Sequence, residues 1–154
     1  TLSPPNNVLE LGLGGGAIRN YLLNQYPKVN ITSVEKNAEI LACYSQFFAI
    51  KSDENLLCAD AQQVLNTARN IDWIILDLFS HIDAPRFLFE RAFYEKIYSA
   101  LNNNGTLFIN FLSQHSSQLK QLQQQLRNVF GCDIHPQKIK GYVNHIVVIH
   151  KQTP

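Results

Sequence analysis

Short apolar runs alternate with segments of helical periodicity along this chain. Uninterrupted runs of Val, Leu and Ile are typical of parallel strands buried on both faces, whereas apolar residues three and four positions apart indicate amphipathic helices. The pattern predicts seven strands, over 7–11, 29–34, 56–59, 71–78, 106–111, 134–139 and 145–149. It predicts helices over 16–25, from 38 onwards, around 64–65, over 90–101 and over 116–130.

The order of these elements predicts the topology. Strand and helix alternate through the first five strands, which favours a mostly parallel sheet with right-handed crossovers. No helix separates the last two strands, so we expect them to pair in antiparallel fashion around Gly141. The predicted fold class is α/β: a Rossmann-like, doubly wound, mostly parallel sheet of seven strands with a C-terminal antiparallel strand pair. We expect residues 1–7 to be a linker from a missing N-terminal region and 8–154 to form the domain.

Composition narrows the functional classes. The 154 residues suffice for one domain with a sizeable core. Charged residues make up 16% and the net charge is +1 without a Lys/Arg cluster, so nucleic-acid binding is not indicated. No apolar run reaches membrane-spanning length and no signal peptide is visible, which predicts a cytoplasmic protein without membrane contact. The three cysteines form no C-x-x-C pair, so we expect buried, reduced thiols and neither zinc nor a disulfide.

The first strand runs into a glycine-rich loop. Residues 8–17 read VLELGLGGGA, and a helical pattern follows. Glycine has no Cβ, so such a loop can turn sharply and lie against a ligand, while the N–H groups of the next helix point to the same place. Strand, glycine loop and helix begin many nucleotide-binding α/β domains. Gly12, Gly14, Gly15 and Gly16 are therefore candidate cofactor-binding residues, with a tight turn that binds nothing as the alternative.

Acids stand at or next to the ends of the first four predicted strands: Glu10, Glu35, Asp60 and Asp77. These ends share one edge of a doubly wound sheet, where ligands bind. Glu35 follows the first loop glycine at the distance where a carboxylate accepts ribose hydroxyls, and Asp60 can accept from an adenine amino group or merely cap a helix. Glu10 and Asp77 suit an ammonium or sulfonium group. The loop also fits the dinucleotide fingerprint G-x-G-x-x-A, but two carboxylates beside it would repel a pyrophosphate.

Six segments occur together in a recognisable order: GLGGG at 12–16, VEK at 34–36, ADA at 59–61, IILD at 74–77, AFY at 92–94 and LNNNGTL at 101–107. Their order and spacing resemble the spermidine synthase-like branch of the class I S-adenosylmethionine (SAM)-dependent methyltransferase superfamily. The resemblance implies SAM or decarboxylated SAM as the cofactor, without a metal. It implies that Glu35 binds the ribose, that Asp60 and Ala61 bind the adenine, and that Asp77 lies near the amino or propylamine end. It also implies a homodimer.

Two departures from that resemblance bear on the reaction. Gly15 stands where aminopropyltransferases have an acid in a G-G-G-D-G-G loop, and Ser80 replaces the second acid of their D-x-x-D segment. Both missing carboxylates would face a polyamine or the decarboxylated cofactor. We therefore expect methyl transfer from SAM to a small-molecule acceptor, with aminopropyl transfer to a polyamine, or an inactive nucleoside- or partner-binding module, as alternatives. Asp77 and His81 are the catalytic candidates, since either can act as a base.

Overall fold

The computed structural model describes residues 3–50, 55–79, 84–112 and 115–152. Within these ranges seven strands form one sheet in the order β3-β2-β1-β4-β5-β7-β6. Strands β1 to β5 pair in parallel, and β7 runs antiparallel to both β5 and β6, which confirms the predicted fold class. The strands are β1 (Asn7–Leu11), β2 (Asn30–Glu35), β3 (Leu56–Cys58), β4 (Ile71–Leu76), β5 (Leu101–Leu112), β6 (Gln137–Lys138) and β7 (Asn144–His150).

Helices connect the parallel strands, and their ends follow local sequence signals. Asn37 accepts a hydrogen bond from the backbone N–H of Glu39, and Asp60 accepts one from that of Gln62, so each caps a helix N-terminus. Gly131 ends the last helix in the left-handed conformation. The helices are α1 (Ala17–Gln25), α2 (Ala38–Phe47), α3 (Ala61–Thr67), α4 (Arg91–Ala100) and α5 (Ser116–Phe130), with a 3₁₀ turn over Arg86–Phe89.

Alternate residues of the central strands face two hydrophobic clusters. Leu9 and Leu11 of β1 join the larger cluster, together with residues of α3, α4 and α5. Val8 joins the smaller cluster, in which Leu22 of α1 packs over β1, β2 and β4. Helices thus cover both faces of β1, and the carboxyl ends of β1 to β4 are left facing one edge of the sheet.

Two strands, β5 and β6, begin three or more residues away from their predicted start. Strand β5 begins at Leu101, where we expected 102–105 to be a loop and the strand to begin at 106. Its pairing with β4 shifts register there, and Asn104 adopts a left-handed φ of 63°, so the segment is an irregular start of the strand. Strand β6 comprises only Gln137–Lys138 where we expected 134–139, because only these two residues pair with β7. Ile134 packs in the larger core cluster.

Burial around α2 also differs from expectation. Five apolar residues are spaced as on one face of this helix, namely Ile40, Leu41, Tyr44, Phe47 and Phe48. Only Tyr44 of these is buried, while Phe47 is 66% and Phe48 51% exposed. Cys43 and Cys58 are exposed and Cys132 is half-buried, so the expectation of three buried thiols is wrong, although all three are free. Cys58 lies on β3, which is an edge strand of the sheet, where a second layer does not cover every side chain.

Candidate functional site

A cavity of about 410 Å³ lies at the carboxyl ends of β1 to β4. Because the sheet order is β3-β2-β1-β4, residues after four separate strands meet there. The cavity brings together six predicted site residues, namely Gly12, Gly14, Glu35, Asp60, Ala61 and Asp77. Its remaining lining residues are Val34, Lys36, Asn37, Ile40, Ala59, Leu78, Phe79, Pro85 and Phe87.

The glycine loop has two positions at which a Cβ would overlap other atoms, and Gly14 also requires glycine because of its left-handed φ of 51°. Gly12 has a φ of 97°, and a Cβ there would overlap the carbonyl oxygen of Asp77. Gly16 has a φ of 70°, and a Cβ there would overlap the ring of Tyr44. A Cβ at Gly14 or Gly15 would meet open space. Gly14 lines the cavity, whereas neither Gly15 nor Gly16 does. Gly12 and Gly16 therefore allow the loop to pack tightly between β4 and α2.

Glu35 and Asp60 each combine a structural hydrogen bond with a place in the cavity wall. Glu35 Oε1 accepts from the backbone N–H of Asn37 at 3.0 Å, and Asp60 Oδ1 accepts from that of Gln62 at 2.8 Å. These bonds fix both side chains beside the cavity. A carboxylate has about four acceptor sites, so each can accept further hydrogen bonds from a ligand.

Asp77 follows β4 and is half-buried at the other side of the cavity. Its backbone N–H donates to the carbonyl of Leu11, and its Oδ1 accepts from Asn110 Nδ2 at 2.9 Å. Asn110 Oδ1 in turn accepts from Asn144 Nδ2 at 2.9 Å. Burial raises the pKa of Asp77, and the hydrogen bond from Asn110 opposes that rise. The two asparagines, on β5 and β7, fix the orientation of this carboxylate.

Glu10 lies off the cavity lining, on the face of β1 that α1 covers, and is only 1% exposed. Its Oε2 accepts from Ser33 Oγ at 2.5 Å. Its Oε1 has no hydrogen-bond partner in the part of the chain that the structure describes. Burial raises the pKa of Glu10 to about 7, and the charge of Asp77 adds to that rise. The Ser33 hydrogen bond, the charge of Arg19 and a hydrogen bond from the Arg19 backbone lower the pKa.

Sequence reasoning missed several residues of this region. Arg19 and Ser33 are buried polar residues next to Glu10, and both carried a signal, because Arg19 lies three residues before buried Leu22 and Ser33 interrupts an apolar strand. Phe79 and Phe87 line the cavity from the segment after β4. Residues 79–89 fall between a predicted strand and a predicted helix, so the sequence pattern gave no signal that they would form part of the cavity wall.

Two residues that the sequence analysis singled out, Ser80 and His81, lie outside the described residues. Within the described ranges, no group of three or more His, Cys, Asp or Glu side chains is arranged to hold a metal ion. No helix over the same residues combines the length and apolarity needed to cross a membrane.

The chain is similar in sequence to two kinds of transferase, although no family model matches it. It is 27% identical over 130 residues to a "probable polyamine aminopropyl transferase" of Bifidobacterium longum, covering 82% of this chain and 29% of the relative. It is 25% identical over 158 residues to the eEF1A lysine and N-terminal methyltransferase of Danio rerio, covering 94% of this chain and 23% of the relative. The chain thus spans less than a third of the length of either relative.

Two solved structures superpose closely on this chain and identify its fold. Human methyltransferase-like protein 13, in complex with SAH, superposes with a TM-score of 0.82 at 22% identity, covering 97% of this chain and 73% of that one. A "probable spermidine synthase" from Corynebacterium glutamicum superposes with a TM-score of 0.79 at 24% identity, covering 92% and 55%. The fold is that of the class I SAM-dependent methyltransferases. The resemblance inferred from the sequence motifs is confirmed, since the homologues include both methyltransferases and polyamine aminopropyltransferases.

Proposed function

We propose that the chain is the SAM-binding domain of a transferase and that it transfers a methyl group from SAM to a small-molecule acceptor. The observation that carries this proposal is the cavity in which the glycine loop lies between Glu35 and Asp60 on one side and Asp77 on the other. Homologues that are methyltransferases, and a structural neighbour that binds SAH, support it.

The residues of the cavity fit such a nucleoside. A volume of about 410 Å³ lies in the range of small-molecule sites. Glu35, Asp60 and Ile40 line the cavity. In this proposal Glu35 accepts hydrogen bonds from both ribose hydroxyls, Asp60 accepts one from the adenine, and Ile40 forms an apolar wall beside the adenine. Asp77 supplies a negative charge at the end where the sulfonium and ammonium groups would lie. Gly12, which excludes a Cβ, allows the loop backbone to lie against the backbone of Asp77.

Methyl transfer from SAM requires little acid–base catalysis by the protein. SAM supplies a carbon activated by a sulfonium, whose departure as a neutral thioether needs no acid. The chain's task is to orient the acceptor in line with that carbon and to exclude water. Asp77, held by Asn110, is placed to accept a proton or a hydrogen bond from an incoming amine or hydroxyl, and its raised pKa improves it as a base. We propose His81 as a second base.

Aminopropyl transfer from decarboxylated SAM is the second candidate, favoured by the aminopropyltransferase homologues. The loop argues against it. A side chain at Gly15 would meet open space, so packing does not require glycine where an aminopropyltransferase-like loop would have its acid. The lack of a carboxylate there favours SAM over its decarboxylated form. A nucleoside-binding module without catalytic activity is the third candidate.

The products distinguish these three functions. The protein would be incubated with SAM or decarboxylated SAM and a panel of amines, hydroxyl compounds and peptides with N-terminal amines. Methyl transfer releases S-adenosylhomocysteine, whereas aminopropyl transfer releases 5′-methylthioadenosine, and both are separable by chromatography. The proposal expects the first product with SAM. Formation of 5′-methylthioadenosine alone would establish the second candidate, and binding without either product would establish the third.

A further inference from the structure

A chain of hydrogen bonds crosses the sheet from β7 to the wall of the cavity. Asn144 Nδ2 donates to Asn110 Oδ1, and Asn110 Nδ2 donates to Asp77 Oδ1, each at 2.9 Å. Asp77 lines the cavity, and both asparagines are half-buried. The two asparagines are diagonal neighbours in the strand register, because Asn144 lies opposite Leu112 and Asn110 opposite Ile146. Through these three residues, called the amide relay below, β7 contributes to the environment of a carboxylate in the cavity wall.

The two asparagines lie where the strand pattern would place apolar side chains. Every second residue of a strand faces the same side of the sheet, and on this side Phe108 and Ile146 line an apolar groove together with Asn110. Amides among apolar side chains cost free energy unless they are paired. The pair is not needed to join the strands, because β5 and β7 already pair through their backbones from Thr106 to Leu112 of β5. The two amides therefore point to a function rather than to sheet stability.

The amide relay has a direction, and the carboxylate sets it. An ionised carboxylate only accepts hydrogen bonds, so Asn110 must present its amide nitrogen to Asp77 and its amide oxygen to Asn144. Asn144 supplies the donor that this oxygen needs. With an apolar residue at 144, the amide of Asn110 could turn over and place its oxygen against Asp77 instead. A carboxyl group facing that oxygen must hold a proton in order to donate. Asn144 thus favours the ionised, accepting form of Asp77.

We propose that Asn144 is a positioning residue that acts through Asn110 to hold Asp77 as a hydrogen-bond acceptor, so that this end of the cavity selects a cationic nitrogen over a neutral hydroxyl in a ligand of the same shape. This inference rests on the proposed function, which places the charged end of a nucleoside ligand beside Asp77. A cationic N–H donor gains from the charge of the carboxylate as well as from the hydrogen bond, whereas a hydroxyl gains mainly from the hydrogen bond. The determinant of this selectivity lies on β7, outside the four strands whose ends form the cavity.

Other groups also act on the protonation of Asp77. Burial raises the pKa of Asp77, and the hydrogen bond from Asn110 lowers it. Among the described residues, Glu10 of β1 is coupled to Asp77 by charge, and Arg19 of α1 is coupled to Glu10 in turn. These groups are the same in the wild type and in a variant at position 144. A higher pKa of Asp77 in Asn144→Leu would therefore report the loss of the relay.

Calorimetric titration with two matched nucleosides tests this inference. The cationic probe is 5′-(3-aminopropylthio)-5′-deoxyadenosine, and the neutral probe is 5′-(3-hydroxypropylthio)-5′-deoxyadenosine, so the two differ only in the terminal amine or hydroxyl. The amine is protonated at about pH 7.5, as that of lysine is. We expect the wild type to bind the cationic probe about tenfold more tightly than the neutral one. Asn144→Leu should reduce this preference to about twofold while the affinity for the neutral probe stays nearly constant.

Asn30→Leu is the matched control. Asn30 Nδ2 donates to Asn7 Oδ1 at 3.2 Å, so these residues form another asparagine pair on neighbouring strands, and neither lines the cavity. The control should keep the wild-type preference. The ¹³C shift of the Asp77 carboxyl, followed through a pH titration, gives a second readout that a general loss of stability would not move. Its midpoint should be higher in Asn144→Leu than in the wild type and unchanged in Asn30→Leu.

The outcomes separate this inference from the proposed function. Equal affinity of the wild type for the two probes, or an undiminished preference in Asn144→Leu, would overturn the inference while leaving the proposed function standing. If Asn144→Leu does not fold, Asn144→Ser replaces it with the same expected result, because its shorter side chain withdraws the donor from Asn110. Failure of both probes to bind the wild type would overturn the proposed function and the inference with it.

Discussion

Gly12 and Gly15 lie three residues apart in one loop, yet the structure constrains them differently. Gly12 has a left-handed φ, and a Cβ there would overlap the backbone of Asp77, whereas a Cβ at Gly15 meets open space. We predict that Gly12→Ala lowers the free energy of unfolding by about 2 kcal/mol and abolishes nucleoside binding. Gly15→Ala should change stability by less than about 0.5 kcal/mol. Urea unfolding of both variants measures the difference, and equal effects would show that the loop backbone is not held against β4.

Glu10 makes stability depend on pH in an unusual direction. Because burial raises its pKa from 4.5 to about 7, the folded state binds the proton more tightly than the unfolded chain does. The contribution of Glu10 is therefore fully present below about pH 4.5 and is lost as the pH rises through about 7. We predict that wild type loses up to about 3 kcal/mol relative to Glu10→Gln across this interval. Unfolding at a series of pH values checks this, and parallel curves for the two proteins would contradict it.

Among individual residues, the acidic residues of the cavity were easier to predict from the sequence than the side chains that contact them. Glu35, Asp60 and Asp77 could be found because each follows an apolar run, and the ends of parallel strands share an edge. The sequence identifies Glu10 as an acidic residue near the end of β1, but it does not show on which face of the sheet the side chain lies. That face depends on the pleat of the strand and on which face α1 covers. The partners Asn110 and Asn144 were not found, because the register between β5 and β7 brings them together and no local pattern reports it.

At the scale of elements, Asp60 joins the start of α3 to the cavity. It caps the helix through Gln62 and also lines the cavity. Asparagine caps helices about as well as aspartate, but its amide would present a donor to the adenine amino group, which is itself a donor. We predict that Asp60→Asn keeps the thermal stability of the wild type and weakens nucleoside binding. Asp60→Ala should lose about 1 kcal/mol of stability as well.

Thermal unfolding and ligand titration of the two Asp60 variants separate the roles. If Asp60→Asn bound as tightly as the wild type, Asp60 would be a helix cap alone.

Element boundaries were predictable where sequence signals are sharp. Strand β1 and helix α5 have the predicted bounds. The glycine loop ends β1, and Gly131 ends α5. The start of β5 was not predicted, because Asn and Gly favour turns. In the structure this segment pairs with β4, although the register between the two strands is irregular there. The exposure of Phe47 and Phe48 was missed because helical spacing indicates an apolar face but not whether another layer covers it.

At the scale of the whole molecule, the sheet order makes the site. Residues far apart in sequence, from Gly12 to Asp77, meet because β3, β2, β1 and β4 are neighbours in that order. The alternation of strands and helices predicted that the site lies at this edge of the sheet. It did not predict that Phe79 and Phe87 line the cavity, because that depends on the path of the chain after β4. The homodimer, the cytoplasmic location and the division into linker and domain stay predictions, as does the activity of a protein whose relatives are much longer than this chain.

Calorimetric titration of wild type and Glu35→Gln with SAM, S-adenosylhomocysteine and NAD tests the central claim most directly. We predict 1:1 binding of SAM and S-adenosylhomocysteine to the wild type and no comparable binding of NAD. Since a hydrogen bond to a charged group contributes about 1.5–3 kcal/mol, Glu35→Gln should weaken the adenosyl ligands by about 10- to 100-fold. Binding of NAD in preference to both adenosyl ligands, or SAM affinity unchanged in Glu35→Gln, would contradict the assignment of this cavity.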